Sequence, residues 1–396
     1  KVDGLFVPHC NFGTEYEVCR LAKKLNVPVL LWGPRDECPD ENGMRLRDSQ
    51  CGLFATGKVL RRFGIPFTYL KNCNLEDECF AEGIDRFLRV CNVVKAFRNT
   101  RVLQISTRPF DFWSTMCNEG ELLEKFGIQL SPIPMPELTQ AMKDVKENSP
   151  EEIKEVTDYC REKMCIKVTP EQLDNVAALK IAMTRLGKKY GCNCGAIQCW
   201  NALQDEIGIM PCAANALCND EGFPIACETD IHGTITSVLV EAAAMGETRS
   251  FFADWTVRHP YNDNAELLQH CGPWPISIAK EKPTIDTPVA FDCSGSLMAQ
   301  AKDGEHISLV RFDGDNGEYS LLLGNAKTVD GPYTKGTYMW VEVENLDRLE
   351  DKLVQGPYIH HCVGVHQDVV PVLYEACKYI GVTPDLYDPI EEKVKA

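Results

Sequence analysis

The sequence predicts an α/β protein in which two domains built on parallel sheets are followed by a β-rich C-terminal domain. Three observations lead to this prediction. The length of 396 residues allows two or three domains, each with its own core. The first half alternates short apolar runs with helical patterns, and after residue 250 apolar runs follow one another with little helix between them.

The first predicted domain covers residues 1–97 and is Rossmann-like, because its strands and helices alternate. A parallel strand needs a neighbour, so a strand this close to Lys1 predicts that the domain continues upstream. The predicted elements in order are strand Gly4–Pro8, strand Pro28–Trp32, helix Leu53–Phe63, strand Ile65–Leu70 and helix Phe87–Phe97.

The second predicted domain covers residues 98–222 and repeats the alternation. Pro150 and Pro170 are each followed by acidic or amide residues, which is typical of the first turn of a helix. The other predicted elements are strand Val102–Ser106, helix Glu121–Phe126, strand Ile128–Pro132 and strand Gly195–Trp200.

The third predicted domain covers residues 223–396 and ends in a helix. A strand over Ile225–Thr229 leads into an apolar helix over Thr234–Met245, which places Asp230 at a strand-to-helix junction. The segment Gly314–Gly317 contains Asn-Gly and predicts a tight hairpin, because these residues tolerate positive φ. The predicted strands are Phe251–Trp255, Ile307–Phe312, Tyr319–Leu323 and Tyr338–Val343.

The composition indicates which partners the protein lacks and in which cellular compartment it works. The net charge of −17 and the lack of Lys/Arg runs argue against binding to nucleic acid. No stretch is long and apolar enough for a membrane span or has the form of a signal peptide. The 20 cysteines are scattered, which fits reduced thiols better than a disulfide framework. We therefore expect a cytoplasmic protein.

Two short stretches concentrate metal-ligand side chains in a chain with only eight histidines. They are Cys227–Gly233 and His360–His366. Carboxylates and an imidazole from distant parts of a chain can hold a divalent cation and leave positions open for substrate. The competing interpretation of Glu228, Asp230 and His232 is a helix N-terminus, where acids favour the dipole and Asp caps. For Glu228 and His232 we favour that simpler interpretation, and Asp254 receives little weight.

Several short motifs follow one another along the chain, and each alone is weak. The motifs are Trp32–Pro34, Asp48–Phe54, Thr107–Pro109 with Asp111–Trp113, Asn118–Leu123, Ala226–Gly233, Phe252–Asp254, His270–Gly272 and His360–His361. Their order is specific, and through it the chain resembles the L-fucose/L-arabinose isomerase family, in particular its L-fucose isomerase-like branch.

The resemblance implies a metal-dependent aldose–ketose isomerase that acts on an open-chain sugar such as L-fucose or D-arabinose. It assigns Mn²⁺ to Glu206, Asp230 and His361, with Glu206 and Asp230 also as acid/base groups. It further implies a homo-oligomer, a trimer or hexamer. Candidate sugar contacts are Gln198, Trp200, His270 and Trp113.

The chemistry fits these residue types, because a divalent cation stabilises the negative charge that develops on the two oxygens of a cis-enediol. Carboxylates beside the two carbons can move the proton between them. A hydride shift remains a competing route. Two other hypotheses stay open: a metal-assisted sugar epimerase or aldolase, and a sugar-binding protein without catalytic activity.

Overall fold

The fold class is confirmed by the computed structural model, which describes residues 2–288 and 292–388. The chain separates into two compact units, one with residues 1–95 and 371–381 and the other with residues 96–370 and 382–396. The boundaries of the three predicted domains stay a prediction. None of the helices in the described residues combines the length and apolar character needed to cross a membrane.

The first unit is built on a small parallel sheet in the order β1-β2-β3. Successive residues of its central strand point to opposite faces, as strand geometry requires, so Val29 and Leu31 join one apolar cluster and Leu30 and Trp32 join another. The elements are β1 (Leu5–Pro8), α1 (Glu15–Leu25), β2 (Val29–Trp32), α2 (Ser49–Arg62), β3 (Thr68–Tyr69) and α3 (Glu78–Arg98).

The second unit begins with a parallel sheet in the order β5-β4-β7-β8. Its longest helix starts as predicted near Pro170, where Thr169 and Gln172 form a capping box. The elements are β4 (Arg101–Ile105), α4 (Glu119–Glu121, continued as a π-helical turn over Leu122–Phe126), β5 (Gln129–Ile133), α5 (Met135–Asn148), α6 (Pro150–Lys163), β6 (Cys165–Ile166), α7 (Pro170–Tyr190), β7 (Cys194–Ile197), α8 (Ala202–Ile207), α9 (Cys212–Asp220), β8 (Ile225–Ala226) and α10 (Ile231–Ala243).

The rest of the second unit forms a mixed sheet in the order β17-β14-β13-β16-β9-β10-β15-β12-β11-β6. The predicted hairpin at Asn316-Gly317 is confirmed, with φ of 51° and 79° and with Asp315 paired to Glu318. The elements are β9 (Phe251–Arg258), β10 (Ala265–His270), β11 (Thr284–Asp286), β12 (Ser296–Gln300), β13 (Ile307–Asp315), β14 (Glu318–Val329), β15 (Thr337–Glu342), α11 (Leu346–Gln355), β16 (His361–Val365) and β17 (Thr383–Leu386). Helix α12 (Val370–Ile380), which lies between β16 and β17 in the sequence, belongs to the first unit.

Strand β10 carries a buried acid that makes stability depend on pH. Burial and the nearby Glu350 raise the pKa of Glu266 to about 7, while Arg258 lowers it. Between the ordinary carboxyl range and pH 7 the folded protein therefore binds a proton that the unfolded chain has lost. Stability must fall as pH rises through this window.

We expect Glu266→Gln to remove this loss, because glutamine keeps the shape of the acid without ionising. The variant should match the native protein at pH 5 and exceed its free energy of unfolding at pH 8 by about 1–3 kcal/mol. Urea unfolding at both pH values measures the difference. The exposed Glu305→Gln is the control, and the same pH dependence in both variants would contradict the prediction.

Candidate active site

A cluster of buried carboxylates and imidazoles lies where three neighbouring strands of the large sheet meet the turn after β8. His361 opens β16 and pairs in register with Asp254 on β9. Asp254 in turn pairs with Gln269, next to His270 at the end of β10. Because adjacent strands present paired residues on the same face, the sheet itself brings Asp254 and His361 together. His270, at the end of β10, places its Nε2 3.9 Å from Asp254 Oδ1.

The turn between β8 and α10 adds carboxylates to the cluster and is strained. Glu228 and Thr229 both have a φ of 53°, in the left-handed region that non-glycine residues avoid. Asp230 then caps α10, its Oδ1 accepting a hydrogen bond of 2.9 Å from the Gly233 N–H. A Cβ at Gly233 would lie 2.4 Å from Phe252 and 2.8 Å from Asp230 Oδ2, so only glycine fits there. Such strain is typical of functional sites.

Asp230 is fully engaged by protein groups. Its Oδ2 lies 2.8 Å from His361 Nδ1, and its two oxygens accept hydrogen bonds from Arg311. Burial opposes ionisation, but the charge of Arg311 and the bond to His361 hold the pKa of Asp230 well below its usual range. An ionised Asp230 makes His361 Nδ1 the donor, which leaves the lone pair of Nε2 free.

Two carboxylate oxygens face that free nitrogen. Glu228 Oε2 lies 3.9 Å and Asp254 Oδ1 3.5 Å from His361 Nε2. Neither oxygen has a hydrogen-bond partner among the described residues, although both are buried. An unpartnered buried carboxylate oxygen is costly unless something cationic pairs with it. Two carboxylate oxygens and one imidazole nitrogen are a donor set that suits Mn²⁺, so the residues fit a divalent cation.

His361 is common to two groups of ligand atoms that lie within 4.8 Å of one another. One group holds Glu228, His270 and His361, and the other holds Asp254, His360 and His361. Burial acts against ionisation of Glu228, but the His270 imidazole, whose Nε2 lies 3.4 Å from Glu228 Oε2, lowers the pKa of its carboxyl. Glu228 is therefore ready to bind a cation as a carboxylate.

The second carboxylate oxygen of Glu228, Oε1, accepts hydrogen bonds from two residues that follow β7. Its Oε1 accepts hydrogen bonds from Cys199 Sγ at 3.5 Å and from Trp200 Nε1 at 3.4 Å. These donors direct Oε2 toward His270 and His361. Trp200, predicted to contact sugar, thus also orients a carboxylate.

An aromatic wall borders the cluster. The ring of Phe112 stacks on Trp200 at 5.3 Å and on His360 at 5.6 Å. Trp113, the next residue, is 67% exposed. Such a wall is suited to the apolar face of a sugar.

Two further residues predicted to contact sugar lie near this wall. Gln198 accepts a hydrogen bond of 2.9 Å from the Ser106 hydroxyl. His270 accepts one of 2.9 Å at Nδ1 from the Cys271 N–H, so its Nε2 carries the proton. That Nε2 lies 3.4 Å from Glu228 Oε2, within reach of the same space.

The structure brings Asp230 and His361 together but does not bring Glu206 to them. Glu206 is exposed on α8 and belongs to none of the ligand groups found in the described residues. Asp230 supports His361 instead of offering a free oxygen. The set of Glu206, Asp230 and His361 stays a prediction that the family resemblance implies. As an alternative we propose Glu228, Asp254 and His361, which takes one carboxylate from each of the two ligand groups that share His361.

In the sequence, Glu228 and Asp254 each favour an interpretation without a metal, for different reasons. Glu228 fits the acidic first turn of a helix, and that interpretation is favoured over a metal ligand. Asp254 lies in the predicted strand Phe251–Trp255, among buried apolar residues. A single acid within a buried strand was the signal that could have identified it.

Comparisons with known proteins relate this chain to sugar isomerases. Residues 1–98 match the family described as fucose/sulfoquinovose isomerase, N-terminal domain. The chain is 24% identical to the sulfoquinovose isomerase of Priestia aryabhattai over 394 residues, covering 98% of this chain and 86% of that protein. It is also 24% identical to those of Alkalicoccus urumqiensis, covering 89% and 79%, and of Clostridium sp. (strain MSTE9), covering 97% and 86%.

Proposed function

Because this chain belongs to the fucose isomerase-like family, we propose that it is a metal-dependent aldose–ketose isomerase acting on an open-chain sugar. One observation carries the proposal. Two buried carboxylate oxygens without a hydrogen-bond partner among the described residues, Glu228 Oε2 and Asp254 Oδ1, face His361 Nε2. The other ring nitrogen, Nδ1, lies 2.8 Å from Asp230 Oδ2, which leaves Nε2 to bind a cation.

Glu228, Asp254 and His361 would hold the cation, for which Mn²⁺ is our first candidate. When bound, it supplies positive charge to the neighbouring oxygens of the sugar as negative charge develops on them. The protein's part is to keep the three donors fixed. Cys199 and Trp200 fix Glu228, and Asp230 fixes His361.

Asp254 is the best placed group for proton transfer. Its side chain is 27% exposed, whereas those of Glu228 and His361 are 7% and 1% exposed. With Oδ1 directed toward His361, Oδ2 is left to remove a proton from one carbon of the sugar and return it to the next. His270 Nε2–H can donate a hydrogen bond to a sugar hydroxyl in the same space. The stacked rings of Phe112 and Trp200 border the same space.

The relatives guide the choice of substrates. Those named above are sulfoquinovose isomerases, so we propose a hexose with a sulfonate at C6 as the first substrate to test. L-Fucose and D-arabinose are the next candidates. We also propose that the protein works in the cytoplasm as a homo-oligomer, with a trimer or hexamer expected by light scattering.

A panel of aldoses and ketoses incubated with Mn²⁺-loaded protein in deuterated water tests the proposal. We expect one pair to interconvert, with solvent deuterium in the product at C1 or C2. A chelator should stop the reaction and added Mn²⁺ should restore it. Interconversion without deuterium would indicate the hydride shift, and a C2 epimer or carbon–carbon cleavage would favour the epimerase or aldolase. If the protein converted no sugar and bound no metal, the hypothesis of a sugar-binding protein without catalytic activity would remain.

A further inference from the structure

Two cysteines and an aspartate come together in the segment that joins β3 to α3 in the first unit. Cys73 follows β3 and is 1% exposed, Asp77 directly precedes α3, and Cys79 lies in the first turn of that helix. One ligand atom from each of the three lies within 4.8 Å of the other two. Two sulfur atoms that bind one Zn²⁺ at about 2.3 Å are at most about 4.6 Å apart. The spacing is therefore close to what a single ion requires.

The indole of Trp32 provides independent support for a thiolate at Cys73. Trp32 is 4% exposed, and its Nε1–H donates a hydrogen bond of 3.4 Å to Cys73 Sγ. A buried indole N–H needs an acceptor, and the sulfur of a neutral thiol is a weak one. A thiolate is a stronger acceptor, because the hydrogen bond is then assisted by its charge. Donors that bond to the ligands of a metal commonly fix the orientation of those ligands.

Backbone hydrogen bonds hold the segment in place. Asp77 Oδ2 accepts a hydrogen bond of 2.8 Å from the Asn74 N–H, and the Asp77 carbonyl accepts one of 2.9 Å from the Phe80 N–H. The carbonyl of Cys73 accepts one of 3.3 Å from the Arg35 N–H, which follows β2. The carboxylate is thus fixed by one oxygen and keeps the other for a cation.

Packing alone explains only part of this arrangement. A buried cysteine is often a small apolar group and nothing more. That explanation does not cover Asp77, because a carboxylate gains nothing from lying beside two apolar thiols. A cation would pair with all three groups at once. Thiolates select Zn²⁺ or Cu⁺, and a carboxylate favours the divalent ion of the two.

We propose that Cys73, Asp77 and Cys79 form a Zn²⁺ site in the first unit, with water as the fourth ligand. The site does not depend on the proposed function, since the candidate active site lies in the second unit. Bound zinc would tie the segment after β3 to the first turn of α3, so that metal binding adds to the stability of the fold. A chelator should release this zinc as well, and Mn²⁺ should not replace it, because thiolates do not favour Mn²⁺.

A titration of reduced, metal-free protein with Co²⁺, a spectroscopic substitute for Zn²⁺, tests the proposal. A thiolate ligand gives Co²⁺ a charge-transfer band in the near ultraviolet, which carboxylates and imidazoles do not give. We expect this band in the native protein and its loss when Zn²⁺ is added. The competition yields the Zn²⁺ dissociation constant. It should rise by at least about 100-fold in Cys79→Ala, because a ligand is lost and not only a group that orients one.

Asp77→Asn is the second variant, since asparagine can still accept the hydrogen bond from Asn74 while it lacks the charge. Its Zn²⁺ dissociation constant should also rise. The matched controls are Glu78→Gln, the same kind of change one residue away, and Cys91→Ala, a cysteine in the same apolar cluster as Cys73. Both controls lie outside the ligand groups of the described residues and should bind Zn²⁺ as the native protein does.

Two results would overturn the proposal. One is a native protein without the thiolate band. The other is an unchanged band and unchanged Zn²⁺ affinity in Cys79→Ala and Asp77→Asn when both variants show native circular dichroism. The isomerase assay is read separately, so zinc binding by a protein that isomerises no sugar would contradict the proposed function alone.

Discussion

We expect His361→Asn to abolish stoichiometric Mn²⁺ binding and to lower kcat/KM by on the order of 10³-fold, equal to several kcal/mol of transition-state stabilisation. His361 is the residue common to both groups of ligand atoms. Asparagine retains an amide N–H near the position of Nδ1 for Asp230 and lacks the second nitrogen. The loss should therefore reflect the missing ligand, with little change in fold.

The neighbouring His360→Asn is the control for this experiment. His360 is exposed and stacks on Phe112, so its replacement should affect sugar binding more than metal content. Metal analysis of the purified variants and initial rates measure the two effects. Full Mn²⁺ occupancy in His361→Asn would contradict the assignment of His361.

A second large effect should distinguish the two candidate glutamates. Glu228→Gln keeps the shape of the side chain but places an amide where a carboxylate faces His270 and His361, so Mn²⁺ affinity should fall by at least about 100-fold. Activity should fall with it. Glu206→Gln changes an exposed residue outside the ligand groups of the described chain, and we expect metal affinity and rate within about twofold of native.

Calorimetric titration with Mn²⁺ and the isomerase assay, applied to both variants, give the comparison. Loss of metal in Glu206→Gln with native behaviour in Glu228→Gln would restore the ligand set that the family resemblance implied. Both variants must show native circular dichroism for the result to count.

Much of the fold could be predicted because its signals are local. Proline at the start of α7, apolar β2 and the Asn316-Gly317 hairpin each follow from a few adjacent residues. The ten-stranded sheet could not be predicted in this way. Its edge strand β6 comes from residues far upstream, with Cys165 paired to Thr284, and such long-range pairing leaves no mark within either segment.

The sequence could predict candidate residues for the site but not the role of each one. The motif from Cys227 to Gly233 contains Glu228 and Asp230, and both the capping and the metal interpretation fitted each acid. In the structure Asp230 caps α10 through Oδ1 and supports His361 through Oδ2, so the two interpretations were not exclusive. The contact with Arg311 and the pairing of β16 with β9 decide which carboxylate keeps a free oxygen. Both are long-range contacts, so the motif does not predict them.

The central claim is that one divalent cation is held by Glu228, Asp254 and His361. Crystals grown with Mn²⁺ and measured at the manganese absorption edge test it directly through an anomalous difference map. We expect a peak bordered by Glu228 Oε2, Asp254 Oδ1 and His361 Nε2, with Asp230 still bonded to His361 Nδ1. A peak coordinated by Glu206, or by Asp230 in place of Glu228 and Asp254, would contradict it.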